Sequence, residues 1–327
     1  MAVDFTAVEA VDPTRVAEAT RRLEATTMAA GGGRASLGEL AAWGGWLAAC
    51  QGRELPAALE HVTLAVVAGG SSTTPSVSVL PEDSLSQVGE LYSSGRSPVA
   101  AAAVAQDVRV EFIDANAAAA DQLSTEQASP GAEPGIEKWL AAGAAFADAE
   151  ADKGTELLLL GDFGPGTTTA AATIIGAICG IEPVKVIGWG SGIDDQGWRR
   201  KVAQIRDGMF AVRDVRTEPR EILARVAAPH IAVLTGILAQ AAIRRTPVIF
   251  DGAGCAAAAL CAQMLAPTAR DWWQPASPGT EPAIVPALGA LGLSPILPTG
   301  IGLGQGAGTL LALPHLRLAT QFAEGEA

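Results

Sequence analysis

Apolar positions along this chain follow two rhythms: short unbroken runs, and longer stretches in which they recur at helical spacing. Val62 to Val67, Val108 to Ile113, Leu157 to Leu160, Val184 to Gly188 and Val248 to Phe250 are the short runs, continuous as strands buried on both faces require. Ile136 to Ala151, Thr168 to Cys179, Asp195 to Phe210, His230 to Arg244 and Cys255 to Leu265 carry the helical spacing. Strand and helix alternate from Ile136 onward, which predicts an α/β fold built on a doubly wound parallel sheet. A Ser-rich loop and a helix lie between the first two runs, and Ala115 to Gly135 reads as a long connection. The N-terminal region differs. Asp12 to Met28 and Leu40 to Cys50 are helical, parted by a glycine break at Ala30 to Arg34, and Ser36 with Glu39 forms a capping box. These helices cannot extend a sheet. They are expected to form a second, smaller helical domain, residues 1–52 with 307–327 and the helix Thr309 to Phe322, beside a large domain spanning 53–306.

Ligands in such sheets bind outside the carboxyl ends of the strands, which singles out Asp114, Asp162, Gly188 to Asp195 and Asp251. The richest segment is LLLLGDFGPGTTTAAATIIGAICG, Leu157 to Gly180, where a strand ends in Gly161, Gly164 and Gly166 and a helix opens on Thr167, Thr168 and Thr169. Backbone N–H groups at a helix start and threonine hydroxyls together make a phosphate cradle. Its spacing is neither GxxxxGK[ST] nor GxGxxG, which argues against an ordinary nucleoside-triphosphate or dinucleotide site. A plain strand-to-helix turn is the alternative, as a helix N-cap is for Asp251.

Composition narrows the classes. The 327 residues are 49% hydrophobic and only 5% aromatic, with 37 glycines, which fits Ala-rich helices packed closely on a sheet. A net charge of −13 repels nucleic acid and acidic membranes, and no apolar run has transmembrane length. Cys50, Cys179, Cys255 and Cys261 lack CxxC spacing and sit in apolar contexts, as reduced thiols of a cytoplasmic protein do. His61, His230 and His315 do not cluster with other metal-ligating residues, so no metal or other cofactor is implied.

Several segments together resemble the nicotinate-nucleotide:dimethylbenzimidazole phosphoribosyltransferase family. They are ASLGELAAWGGWLAACQ from Ala35, GDFGPGTTTAAA from Gly161, VIGWGSGIDDQGWRRK from Val186, TGILAQAAIRRTPVIFDG from Thr235, RDWWQ from Arg270 and GLGQGAGTLLALP from Gly302. The resemblance implies a large parallel-sheet domain with a small helical one, a homodimer, and transfer of phosphoribose from nicotinate mononucleotide to an aromatic, benzimidazole-type base. It assigns the phosphate and ribose to Gly161 through Thr169, to Gly190 and Gly192, and to Gly304 and Gly306. Asp162, Lys201 and Gln305 stand at its catalytic positions, although on spacing alone Lys201 reads as a solvated helix lysine. Val77, Ser78, Pro81 and Gln87 fit its base-binding V-S-x-x-P and following Gln.

Departures from the family pattern bear on chemistry. Where the family carries GEG with Glu as general base, this chain has Gly304, Gln305 and Gly306, and an amide cannot take a proton. The family's G-D-H-G is here Gly69, Gly70, Ser71 and Ser72; the arginine and asparagine of its R-x-G-[ST]-x-N segment have no counterpart in Ala115 to Gly135; and its H-R-S-x-E-P-G-H is reduced to Ala276 through Pro282. Glu281 is a candidate substitute base, or simply a carboxylate near a helix start. Two readings follow: an active phosphoribosyltransferase that uses Asp162 or a nucleophile needing no strong base, and a non-catalytic paralogue that binds a ribose mononucleotide or serves as a partner subunit.

Overall fold

The computed structural model describes residues 2–29, 36–70, 77–121, 135–226 and 228–324. Helices α1 (Pro13–Ala29) and α2 (Glu39–Cys50) precede strand β1 (Val62–Ala68), and α3 (Ser84–Ser93) and α4 (Pro98–Val104) lead to β2 (Val108–Asp114). Next come α5 (Ala115–Asp121), α6 (Ile136–Asp152) and β3 (Leu157–Phe163). Between β3 and β4 (Val248–Phe250) lie α7 (Thr167–Cys179), α8 (Pro183–Val186), α9 (Asp195–Ala211), α10 (Pro219–Val226) and α11 (Pro229–Ile243). Helix α12 (Ala253–Leu265), strand β5 (Trp273–Pro275) and helices α13 (Ile284–Leu291) and α14 (Ala307–Glu324) complete the chain.

The five strands form one parallel sheet in the order β2-β1-β3-β4-β5. Every residue of β1 is buried whichever way its side chain points, so helices cover both faces, and the expected α/β architecture holds. Helices α1, α2 and α14 pack on one another around Leu23, Ala41, Ala319 and Ala323. Leu310, Leu313 and Leu316 of α14 also join the main core.

Helices α6 and α11 meet backbone to backbone. A Cβ on Gly143 would overlap the Val233 carbonyl, and one on Gly236 would overlap the Leu140 carbonyl. Alanine favours a helix interior over glycine by about 1 kcal/mol, but overpacking costs about 1–3 kcal/mol or more where backbone must move. Gly236→Ala is therefore expected to lower the melting temperature. Gly289→Ala, on α13 with open space around it, is the control expected to raise it slightly.

Three expectations about elements change. Val184 to Gly188 is not a strand: Pro183 occupies the first helical position of the single turn α8, Val184 is 56% exposed, and none of the described strands pairs with the segment. Helix α2 starts at Glu39 behind Gly38, whose φ of 55° and ψ of −128° suit glycine, so the expected box between Ser36 and Glu39 does not cap it. The connection after β2 opens with α5, where the Asp114 carboxylate accepts from Asn116 and Ala117 N–H at 2.9 and 3.2 Å. Asp114 thus serves a helix start. The glycine break at Ala30 to Arg34, Ser71 and Ser72, and most of the connection before Gly135 lie outside the described residues.

Candidate active site

The strand order reverses direction between β1 and β3, the topological switch at which doubly wound sheets bind ligands. A cleft of about 370 Å³ opens there. Its walls are the loop from Phe163 to Thr168, the turn at Gly190 and Ser191, and the segment Ile301 to Gln305, with Thr280, Glu281 and Ile284 at one side. Gly164, with φ near 157°, lies so close to the Gly69 carbonyl that a Cβ would overlap it. The loops leaving β1 and β3 therefore lie on each other, and the cradle's shape depends on that contact.

Strand β3 runs past its apolar stretch through Gly161, Asp162 and Phe163, so Gly161 is not a turn residue. Its bare Cα lets the Gln305–Gly306 backbone pack against the strand. Asp162 lines the cleft. Its carboxylate accepts from Gly254 N–H at 2.9 Å, and its carbonyl accepts from Gln305 N–H at 3.0 Å. Burial pushes the Asp162 carboxyl up to about 7; the Gly254 N–H opposes this and the negative charge of Asp251 adds to it.

Asp251 caps α14 and not the helix that follows it in sequence. It accepts from Gly308 N–H at 3.0 Å and from the Ser277 hydroxyl at 3.0 Å, and burial raises its own pKa. The carboxyl end of β4 is thereby tied to the segment that carries Gln305.

Lys201 is fully buried behind the cradle, not solvated. Its ammonium donates to the Thr168 hydroxyl at 2.8 Å and to the Gly188 carbonyl at 3.0 Å, and lies 3.8 Å from the Glu281 carboxylate. Burial lowers its pKa and Glu281 opposes the shift. Glu281 also accepts from Gly190 N–H at 2.9 Å, so it ties the glycine turn to the segment before α13, with the Lys201 ammonium, which reaches Thr168 of α7, beside it. His230, fully buried and pushed down to about 4 by burial, contacts the Thr167 hydroxyl through Nε2 at 2.9 Å. The hydroxyl hydrogen is committed to the Gly164 carbonyl at 2.8 Å, so Nε2 is the donor and the imidazole is the neutral Nε2–H tautomer.

Gln305 lines the cleft at φ 57°, between Gly304 and Gly306 at 69° and 75°, and its Oε1 accepts from the Tyr92 hydroxyl at 2.9 Å. Of the other residues that the sequence singles out for ligand contact, Gly164, Gly166, Thr167, Thr168, Gly190, Gly304 and Ser78 line the cleft. Ser78 sits 3.2 Å from the Ser191 hydroxyl at the rim. Gly161, Thr169, Gly192, Lys201, Gly306 and Gln87 do not line it. Thr169 points its hydroxyl into the interior, and the Gln87 amide is taken up by Asp83 at 2.7 Å. Sequence reasoning misses Tyr92, Thr280 and the role of His230, and takes in Ser191 only as part of the segment Gly188 to Asp195; of those missed only Tyr92 carries a signal, as the sole tyrosine in the chain. Among the described residues no group of His, Cys, Asp or Glu is arranged to hold a metal, and no helix is long and apolar enough to cross a membrane.

A family model described as phosphoribosyltransferase matches residues 8–327. The protein of Mycobacterium avium named nicotinate-nucleotide–dimethylbenzimidazole phosphoribosyltransferase is 38% identical over 333 residues, covering 97% of this chain and 94% of its own. That of Corynebacterium glutamicum, with the same name, is 39% identical over 297 residues, covering 88% and 83%. The crystal structure of CobT from Thermus thermophilus superposes with a TM-score of 0.82 at 29% identity, over 95% of this chain and 96% of that one. With the crevice at the sheet's switch point and a match over nearly its whole length, the chain belongs to the nicotinate-nucleotide–dimethylbenzimidazole phosphoribosyltransferase family.

Proposed function

We propose that the protein transfers phosphoribose from nicotinate mononucleotide to an aromatic base of the benzimidazole type, with Asp162 as the proton acceptor. The observation that carries the reading is a buried carboxyl with a pKa of about 7, lining the cleft two residues before the glycine-rich loop that opens α7. A general base with a pKa near the working pH combines a large ionised fraction with useful basicity. In this reading the phosphate binds at the start of α7 and the turn at Gly190, which sets the sugar beside Asp162. Leu80, Ile284, Ile301 and Leu303 offer the apolar wall a flat base needs.

The lone pair of one ring nitrogen of the base forms a bond to the anomeric carbon. The bond from that carbon to the pyridine nitrogen breaks, its electron pair returns to the nitrogen, and nicotinate leaves. The N–H proton of the attacking base passes to Asp162. Two fixed loops holding both reactants supply the remaining advantage, by orientation.

One observation favours the second reading, a mononucleotide-binding paralogue without turnover: the amide of Gln305 lines the cleft where the family resemblance calls for a carboxylate. Product formation from nicotinate mononucleotide and dimethylbenzimidazole, run beside Gln305→Glu, separates the two. The native chain is expected to form the nucleotide and release nicotinate in equal amounts. Nucleotide binding by calorimetry without product, with turnover appearing in Gln305→Glu, would establish the paralogue; absence of both binding and product would remove either reading. The family resemblance also carries a homodimer, for which exposed Val104, Leu303 and Leu311 offer apolar surface.

A further inference from the structure

We propose that Tyr92 fixes the direction in which Gln305 faces the cleft, so that the Gln305 amide N–H₂ selects acceptor bases that turn a ring lone pair toward it. The proposal rests on the phosphoribosyl-transfer reading above. An amide has one accepting and one donating arm, and the accepting arm is spoken for: Gln305 Oε1 takes the Tyr92 hydroxyl hydrogen at 2.9 Å. Gln305 lines the cleft and Tyr92 does not, so the donating arm is the one left for a ligand. Among the described residues no acceptor lies on Gln305 Nε2.

Both partners are held in place. The Gln305 N–H is bound to the Asp162 carbonyl at 3.0 Å, which helps hold its backbone at the left-handed φ of 57°. The Tyr92 ring stacks on Phe112 of β2 with centroids 4.9 Å apart and planes 25° apart. Burial raises the Tyr92 pKa against a hydrogen bond from the Ser97 side chain that lowers it, so the hydroxyl keeps its proton to give to Gln305 while Ser97 meets it as a donor.

A fixed donor discriminates by what it meets. A ring lone pair completes its hydrogen bond, a C–H leaves it unpaired, and an N–H sets donor against donor. Asp162 and Gln305 are adjacent, yet they read opposite features: the carboxylate takes the N–H proton of the attacking ring, and the amide looks for a lone pair on the same molecule. The fitting class is a bicyclic base that has an imidazole N–H and an additional aza nitrogen in the fused ring.

The test offers the full chain nicotinate mononucleotide with benzimidazole in competition with its 4-aza and 5-aza analogues, each differing by one C–H replaced by a lone pair, and reads product ratios by mass spectrometry. One aza isomer is expected to exceed benzimidazole by about five- to tenfold in kcat/KM, the range one neutral hydrogen bond supports. Tyr92→Phe frees the amide to turn over and is expected to bring that ratio within about twofold of unity, with KM for the mononucleotide little changed. Gln305→Glu is expected to invert the preference. Equal use of all three bases by the native chain, or a preference that survives Tyr92→Phe, overturns the proposal. If no base gives product, the same ratios are read by calorimetric displacement from the nucleotide-loaded protein. A Tyr92-dependent binding preference there sustains the inference while the transfer reading fails; no binding of any base overturns it.

Discussion

Replacing Asp162 with Asn is expected to lower phosphoribosyl transfer by about 10²- to 10⁴-fold, the usual worth of a general base, while nicotinate mononucleotide still binds. The substitution keeps the shape and the acceptor for Gly254 N–H, and removes only the capacity to take a proton. The pH profile gives a second signature. Activity of the native protein needs the ionised carboxylate, so it should rise with pH through about 7, where Asp162 titrates. Removing the neighbouring charge with Asp251→Asn should move that rise to lower pH, because the negative charge of Asp251 is one of the causes that hold Asp162 up. Stability runs the other way. The folded state keeps a proton on Asp162 that the unfolded chain loses above the ordinary value of 3.8, so stability present at low pH is lost as pH rises toward about 7. Asp162→Asn escapes that loss, and is expected to melt a few degrees above the native protein at pH 8 and near it at pH 4. A variant that is slower and also less stable at pH 8 would point to a structural role for Asp162 instead.

Much of this site is legible in the sequence because local chemistry and global fold agree along Leu157 to Thr169. A continuous apolar run of strand length suits an inner strand of a covered sheet, and the glycine-rich exit into a helix marks its carboxyl end here. The features that escape a sequence reading share a cause. Val184 to Gly188 has the same apolar character, but a strand needs a neighbour with free backbone groups, which composition does not report. Lys201, between charged Arg200 and apolar Val202 on α9, reads as a surface lysine because its partners Gly188 and Glu281 are 13 and 80 positions away. The contact between Tyr92 and Gln305 spans 213 positions and joins α3 to the segment before α14, so no local pattern announces it. Asp251 stands out at a strand's end, but the helix it caps does not: the N–H it accepts belongs to Gly308, not to the adjacent turn.

Lys201→Met is expected to cost about 3 kcal/mol of stability or more, because truncating one partner of a buried ion pair strands the other. Methionine fills nearly the same volume, so the loss is electrostatic and not a cavity. The Glu281 side chain, 12% exposed, would retain Gly190 N–H as a partner and lose the ammonium 3.8 Å away. Thr168 and the Gly188 carbonyl would lose their shared donor, and the turn at Gly190 would no longer be braced against the start of α7. Mononucleotide affinity should therefore fall by about tenfold, as positive potential behind the phosphate disappears together with the cradle's shape. Pairing the change with Glu281→Gln separates the two contributions. The double variant no longer buries an unmatched carboxylate, so its urea midpoint should recover most of the loss seen in Lys201→Met. Its affinity should not recover, since neither the cation nor the brace returns. Recovery of both would mean that Lys201 serves only to neutralise Glu281, and recovery of neither would mean that the ammonium's bonds to Thr168 and Gly188, rather than its charge pairing, hold the cradle together.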